Sequence, residues 1–147
     1  CGVPVMPAFG IVDYCRIGCD VGLDWDDVWY MRLFHRERVS TRQSIGNTIF
    51  RRQLNGRAYG SDPDVFFLRE ELQADPTAKA DPGPVNALFS GILLTSDMPS
   101  RYTDEMRRQY NALRELTDHA ENCTVDADDG LTVHYTLHGQ QQAIKVF

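Results

Sequence analysis

Residues 9–19 read FGIVDYCRIGC, and this stretch sets the expectations for the whole fold. It is dense in β-branched and aromatic side chains, which predicts a buried strand at about 11–17. Arg16 stands near the end of this strand, and Asp20 follows four residues later. From the residues alone, Asp20 is either a loop cap among surface acids or a working carboxyl group.

The rest of the first 120 residues alternates between helix-like and strand-like segments. Ser40 or Thr41 can cap a helix over 40–55. Ile45 and Ile49 then fall on one face of it. The later segments are a strand at 65–68, a polar loop at 73–84, a helix from Pro84, a strand at 92–97 and a helix from the Thr103 cap to about 118. Apolar strands that alternate with helices predict a parallel sheet with the helices outside it.

After residue 120 the pattern changes. Residues 123–137 read CTVDADDGLTVHYTL, in which an Asp129-Gly130 turn separates two alternating segments and predicts an antiparallel hairpin. A closed (β/α)₈ TIM barrel takes about 250 residues, so about three βα units are too few for one and would suit its last three units. We therefore expect an α/β fold with the C-terminal portion of such a barrel at 1–120, and the start of a C-terminal antiparallel β domain, a β-sandwich, at 121–147.

Composition excludes several classes of partner. The chain has 147 residues, a net charge of −6 and 42% hydrophobic residues, which suits one globular domain. Its acidity argues against a nucleic-acid partner, which needs a basic face. No apolar run reaches roughly 18 residues, so we expect no membrane span. No basic-then-apolar signal segment opens the sequence.

The four cysteines are too sparse for a disulfide scaffold: Cys1, Cys15, Cys19 and Cys123. Cys15 and Cys19 are close, but no neighbouring Cys or His pair completes a zinc set, so we expect no metal site. Reduced structural thiols in a cytoplasmic protein are the simplest interpretation. The four histidines show no shared face or ligand spacing: His35, His119, His134 and His138. The chain opens on Cys1 without Met, so we expect a longer parent chain.

Three segments together resemble a known family: CGVPVMPAFGIVDYCRIGCDVGLDW at 1–25, RQSIGNTIFRRQLNGRAYGSDPDVFFLRE at 42–70 and SGILLTSDMPS at 90–100. They are similar to the C-terminal part of the catalytic barrel of the family 36 glycoside hydrolases, which are retaining α-galactosidases (melibiases). The resemblance covers about residues 1–118. The matching positions are Cys1, Gly2, Pro4, Val12, Asp13, Arg16, Ile17, Gly18, Asp20, Trp25, Asp62, Pro63, Asp64, Ser96 and Asp97. The sequence departs from the family where Cys15, Cys19 and Ser61 replace the usual Met, Pro and Asn.

The resemblance implies roles for some of the matching residues. Asp20 resembles the general acid/base, and Arg16 the arginine that contacts the sugar and the acid/base region. Cys1 and Gly2 lie where the family has a loop that lines the galactose pocket. Trp25 is a candidate to stack on the sugar, or else a core residue. Asp62 and Asp64 resemble acids that support the substrate-binding residues, or else they only form the turn around Pro63.

Retaining glycosidases need two carboxyl groups about 5–5.5 Å apart, one as nucleophile and one as acid/base. The family's nucleophilic aspartate sits on an earlier strand, in a segment that this chain does not contain. The resemblance implies no metal and no organic cofactor. Without the resemblance, Asp97 is best explained as a helix or turn cap.

These residues lead to one hypothesis with two alternatives. The parent protein is expected to be an α-galactosidase that cleaves terminal α-galactosyl residues from oligosaccharides. One alternative is a related α-glycosidase, such as an α-N-acetylgalactosaminidase, or a galactosyl-transferring enzyme. The other is a partial barrel that is inactive or only binds sugar. A partial barrel leaves an open sheet edge, so we expect a longer parent chain or a homo-oligomer to cover it.

Overall fold

The fold is given by a computed structural model, which describes residues 4, 6–22, 25–26, 33–34, 39–69, 82–128 and 130–146. Within these ranges the helices are α1 (Thr41–Phe50), α2 (Pro82–Phe89) and α3 (Asp104–His119). Four short strands alternate with them, namely β1 (Tyr14–Arg16), β2 (Gly60–Asp62), β3 (Val65–Phe66) and β4 (Leu94–Thr95). Three longer strands follow, β5 (Ala120–Asp126), β6 (Thr132–Leu137) and β7 (Gln140–Lys145). Residues 73–81 of the expected polar loop lie outside the described residues.

The short strands form two parallel pairs, as the alternating pattern predicted. β1 pairs with β2, and β3 pairs with β4. β2 and β3 are separated only by Pro63 and Asp64, so the segment 60–66 joins the two pairs. Proline has no N–H to donate, and Asp64 has a φ of 75° in the left-handed region, so the ladder is interrupted at these two residues.

The sequence did not predict β2. Glycine, serine and aspartate have low strand propensity, so pairing with β1 rather than local preference makes this strand. Gly60 is required there, because a Cβ on it would lie 2.5 Å from the Tyr14 ring. As a consequence Asp62 lies at the carboxyl end of a strand, whereas the sequence placed it at the start of the next apolar run or in the loop before it.

The strand predicted at 11–17 is shorter than expected and only half buried. Ile17 is fully buried, whereas Ile11 and Tyr14 are 79% and 56% exposed. Side chains alternate between the two faces of a strand, and one face of β1 is covered by Ala58 and Tyr59. Among the described residues β1 pairs only with β2, which leaves its other edge and its other face open.

α1 and α3 begin where their capping residues predicted, whereas α2 begins at Pro82, two residues before the predicted start at Pro84. The Ser40 hydroxyl accepts a hydrogen bond from the Gln43 amide at the start of α1, and the Thr103 hydroxyl accepts one from Met106 at the start of α3. Ile45 and Ile49 are both fully buried on one face of α1, as expected. α1 ends at Phe50 and continues as a 3₁₀ turn over Arg52–Leu54, five residues short of the predicted α-helical end.

The last three strands form an antiparallel sheet in the order β5-β6-β7. The predicted hairpin between β5 and β6 is confirmed, although Asp129 of its turn lies outside the described residues. β7 was not predicted. It follows a two-residue turn in which His138 and Gly139 both have positive φ, the geometry that suits a right-handed hairpin twist.

This sheet shares its core with the helices. The main cluster of buried side chains contains Ile45 and Ile49 of α1, Val85 and Phe89 of α2, Leu131 and Val133 at β6, and Val146 after β7. A second cluster, Phe66, Ala87 and Leu113, joins the other face of α2 to β3 and α3. α2 therefore lies between two core layers, and the packing continues across the change of pattern at residue 120.

No helix in the described ranges is both long and apolar enough to cross a membrane.

Ile49→Ala tests whether the sheet and the helices are one cooperative unit. We expect a loss of about 2–5 kcal/mol in the free energy of unfolding, because the change opens a cavity in the shared cluster. Urea unfolding measures this loss, and hydrogen exchange should show faster exchange in β6 as well as in α1. Ile11→Ala is the matched control, because Ile11 is exposed and its loss should change stability by less than about 0.5 kcal/mol. Protection in β6 that is unchanged by Ile49→Ala would contradict the shared core.

Candidate active site

The site is built around the guanidinium of Arg16, which meets three carboxylates. Its Nη1 lies 3.0 Å from Asp20 Oδ1, its Nε 3.1 Å from Asp62 Oδ2, and its Nη2 3.2 Å from Asp64 Oδ1. Each of the three guanidinium nitrogens thus contacts a different carboxylate. The planar guanidinium suits this arrangement, because its donors point in fixed, diverging directions.

Strand register explains why these side chains converge. Arg16 is paired with Asp62 across the β1–β2 ladder, and both residues end their strands. Paired residues on neighbouring strands direct their side chains to the same face. The carboxyl ends of two parallel strands therefore place the arginine and the first carboxylate side by side. Asp20 reaches the same guanidinium from the loop after β1.

Asp64 enters the cluster through an unusual backbone conformation. Its amide donates to Asp62 Oδ1 over 2.9 Å, a local turn that suits an Asp–Pro–Asp sequence. Its φ of 75° is a conformation that aspartate tolerates better than most residues. Asp64 Oδ2 then accepts a hydrogen bond of 2.8 Å from the Val21 amide, while Oδ1 faces Arg16. The same carboxylate therefore contacts the residue after Asp20 and the arginine that binds Asp20.

The loop that carries Asp20 is also held by α1. The Asp20 carbonyl accepts a 3.0 Å hydrogen bond from the Ser40 amide, and the Cys19 thiol donates to the Ser40 carbonyl over 3.2 Å. Closer to β1, the Arg51 guanidinium donates to the Ile17 carbonyl. The backbone around Asp20 is thus fixed at the N-terminus of α1, whose cap is Ser40 itself.

Charge and exposure differ among the four groups. The Asp20 side chain is 46% exposed, Arg16 28%, Asp62 22% and Asp64 13%. Burial on its own lowers the pKa of Arg16, but the bond to Asp62 and the charges of all three acids raise that pKa above its usual value. Arg16 is therefore a permanent cation, and Asp20 is the acid most open to a ligand.

Three cysteines of the described residues form no disulfide with one another. Cys19 is buried, and Cys15 and Cys123 are half-buried. Within the described ranges no group of three or more His, Cys, Asp or Glu side chains is arranged to hold a metal ion. The three carboxylates of the Arg16 cluster converge on the guanidinium instead.

Asp97 belongs to a separate polar group after β4. Its Oδ2 accepts hydrogen bonds from the Leu68 amide over 2.6 Å and from the Tyr102 hydroxyl over 3.2 Å. Burial raises the pKa of Tyr102, and the charge of Asp97 raises it further. These contacts tie the residues after β3 to the turn after β4. The expected role of Asp97 as a helix or turn cap is therefore replaced by a long-range bond to the Leu68 amide.

The remaining candidates have different positions. Trp25 is half-buried against the shared core, and its carbonyl accepts a hydrogen bond from the Arg42 amide. Its alternative role as a sugar platform stays a prediction. Cys1 and Gly2 lie outside the described residues.

Sequence reasoning missed one cluster of histidines. The rings of His119 and His138 lie 5.3 Å apart, and their Nε2 atoms are 3.7 and 3.3 Å from Glu115 Oε2. His119 ends α3 and His138 is in the turn before β7, so no spacing in the sequence signals their proximity. This group is exposed.

Comparison with known proteins finds a likeness among solved structures. No protein-family model matches the chain. Among solved structures, the chain is similar to TtGalA, an α-galactosidase from Thermus thermophilus solved in complex with p-nitrophenyl α-D-galactopyranoside. The TM-score is 0.63 and the sequence identity 23%, over 94% of this chain and 27% of that protein. The likeness shows a shared fold, and the chain spans about a quarter of the length of the protein it matches.

Gly18→Ala tests the contact that brings the Asp20 loop against α1. A Cβ on Gly18 would lie 3.0 Å from Asn47 Nδ2 and 3.2 Å from Asn47 Cβ. Because Asn47 Cβ moves only with its helix, we expect a loss of about 1–3 kcal/mol in the free energy of unfolding.

Gly46→Ala is the control for that change. Nothing lies within 4 Å of a Cβ at Gly46, inside α1. Alanine there should raise the free energy of unfolding by about 0.5–1 kcal/mol, because it favours the helix. Chemical denaturation measures both effects, and equal effects of the same sign would rule out the close contact at Gly18.

Proposed function

We propose that this chain forms the acid/base side of the active site of an α-galactosidase of the family 36 type. The parent protein would cleave terminal α-galactosyl residues from oligosaccharides with retention of configuration. The observation that carries the proposal is the meeting of Arg16, Asp20, Asp62 and Asp64 on one guanidinium. These four positions match the family pattern across two segments about 45 residues apart, and the fold likeness to an α-galactosidase supports the same conclusion.

The proposed architecture is the C-terminal part of a TIM barrel at 1–120, followed by the start of a C-terminal β domain. The two faces of β1 and β2 support this. Ile17 and Ser61 are fully buried on one face, whereas Tyr14 and Arg16 stand on the open face. In a barrel, one face of each strand contacts the helices and the other faces the interior. Active sites of such barrels lie at the carboxyl ends of the strands, where Arg16 and Asp62 stand.

Asp20 is proposed as the general acid/base. Arg16 binds Oδ1, and no hydrogen bond from a described residue reaches Oδ2. A proton on Oδ2 would therefore be free to pass to the glycosidic oxygen as the bond to the leaving group breaks. The resulting carboxylate would then take a proton from the water that attacks the glycosyl-enzyme.

The acid/base of a retaining glycosidase must keep its proton at neutral pH in the first step. A nucleophilic carboxylate about 5–5.5 Å away favours this, because it raises the pKa of such a carboxyl group. In this chain the guanidinium of Arg16 is shared by Asp20, Asp62 and Asp64, which fixes the three carboxylates relative to one another.

The remaining parts of the proposal concern the parent protein. The nucleophile is placed on an earlier strand, and the mechanism needs no metal or organic cofactor. Arg16 and Trp25, with the loop of Cys1 and Gly2, are proposed to contact the sugar, and Asp62 and Asp64 to support Arg16. The proposed setting is cytoplasmic, and the open edge of β1 is covered by the rest of the parent chain or by a second copy.

Asp20→Ala in the full-length parent tests the acid/base role. We expect kcat/KM on raffinose or melibiose to fall by about 10²–10⁴-fold, because the leaving hydroxyl needs a proton. A dinitrophenyl α-galactoside, whose leaving group needs no proton, should react much faster than these sugars in the first step. Azide should restore turnover with this aryl substrate and give an α-galactosyl azide, since an anion needs no general base.

Near-wild-type hydrolysis of raffinose by Asp20→Ala would remove Asp20 from this role. Asp104→Asn is a control at an exposed aspartate in the first turn of α3, and it should leave turnover unchanged. A substrate series of α-galactosides and α-N-acetylgalactosaminides distinguishes the related α-glycosidase, and product analysis at high sugar concentration distinguishes galactosyl transfer.

The isolated chain of 147 residues tests the alternative of an inactive or sugar-binding partial barrel. We expect no hydrolysis of p-nitrophenyl α-galactoside above background, because one carboxyl of the pair is supplied by another segment. The full-length parent at equal concentration is the positive control. Turnover by the pure fragment would contradict the placement of the nucleophile.

A further inference from the structure

We infer that Asp64 is a positioning residue that holds the proposed acid/base, Asp20, from two sides. This inference rests on the proposed function of Asp20. One carboxylate oxygen of Asp64 lies 3.2 Å from Arg16 Nη2, and Arg16 Nη1 lies 3.0 Å from Asp20 Oδ1. The other oxygen accepts a 2.8 Å hydrogen bond from the amide of Val21, the residue that follows Asp20. Asp64 thus fixes both the side chain and the main chain of Asp20.

Asp64 is itself rigidly held. Its amide donates to Asp62 Oδ1, and the carbonyl of the preceding Pro63 accepts a 2.8 Å hydrogen bond from the Ser44 hydroxyl of α1. Pro63 and Ser44 are buried, and the Asp64 side chain is only 13% exposed. Asp64 therefore transmits the position of α1 and β2 to the Asp20 loop, as a supporting residue for a reactive group must.

The Asp20 side chain needs this support, because its own surroundings restrain it little, although the Ser40 amide holds the Asp20 carbonyl. The side chain is 46% exposed, and Arg16 is its hydrogen-bond partner among the described residues. Arg16 would be free to turn toward Asp62 alone if Asp64 were neutral. Proton transfer is sensitive to displacements of about 1 Å, so a displaced Asp20 would lose catalytic power without any loss of its carboxyl group.

The test is Asp64→Asn in the full-length parent, compared on two leaving groups. Asparagine tolerates the left-handed backbone and can still accept from the Val21 amide, but it carries no charge for Arg16. We expect kcat/KM on raffinose to fall by about 10–100-fold, as for a misplaced catalytic group. We expect a dinitrophenyl α-galactoside to lose less than about 3-fold, because its departure needs no proton.

Asp126→Asn is the matched control. Asp126 is exposed and accepts a 2.9 Å hydrogen bond from the Asp128 amide, the same two-residue spacing that joins Asp62 to Asp64, but far from the site in sequence. Both substrates should react at the wild-type rate. Asp64→Gly is a second variant that keeps the backbone conformation and deletes both contacts, so its loss on raffinose should exceed that of Asp64→Asn.

The double variant Asp20→Ala, Asp64→Asn separates the inference from the proposed function. If Asp64 acts through Asp20, the second change adds no further loss on raffinose to that of Asp20→Ala. An additive loss, or equal losses on both leaving groups, would overturn the positioning role while Asp20 remains the acid/base. Full activity of Asp20→Ala on raffinose would overturn the proposed function, and the inference with it.

Discussion

The fold at the candidate site depends on one cation that three acids share. Asp20, Asp62 and Asp64 approach a single point from a loop, a strand end and a left-handed turn, and without Arg16 their charges would repel one another. The arginine fork satisfies all three in different directions, which a lysine ammonium on a flexible stem would not reproduce. Because the site is half-exposed, solvent screens each pair. These ion pairs therefore fix the geometry of the site more than they add to the free energy of unfolding.

This shared cation also links local structure to long-range order. Arg16 and Asp20 are close in the chain, so β1 and its loop bring them together directly. Asp62 and Asp64 arrive only when β2 pairs with β1. The site is therefore complete only when two strands, each three residues long, have found their register. α1 adds contacts to the residues that follow each strand, through Ser44 to Pro63 and through Ser40 to Asp20.

The sequence predicted the elements that local chemistry determines. Ser40 and Thr103 mark the helix starts by capping, and the Ile45/Ile49 spacing identified a buried face. β2 was not predicted, because Gly60, Ser61 and Asp62 have no intrinsic preference for a strand. They form a strand by pairing with β1.

The same limit applies to the site. The spacing of Arg16 and Asp20 made a pair plausible from the sequence alone, and the family resemblance suggested Asp62 and Asp64. The bond from Asp64 to Val21 had no sequence signal, because it depends on a positive φ and on a contact between residues 43 apart. The core that joins α1 to β6 could not be predicted from the sequence either. The apolar face of α1 indicates that another element must cover it, but does not identify that element.

That shared core changes what counts as a separable module. The sequence pattern changes at residue 120 from alternating helices and strands to strands alone. Nevertheless, Leu131, Val133 and Val146 from the second part cover the apolar faces of α1 and α2. Recombination or truncation at this point would uncover the very helix that holds the Asp20 loop. The C-terminal sheet therefore belongs to the same packed unit as the site, and an exchangeable segment in this region has to run through Val146.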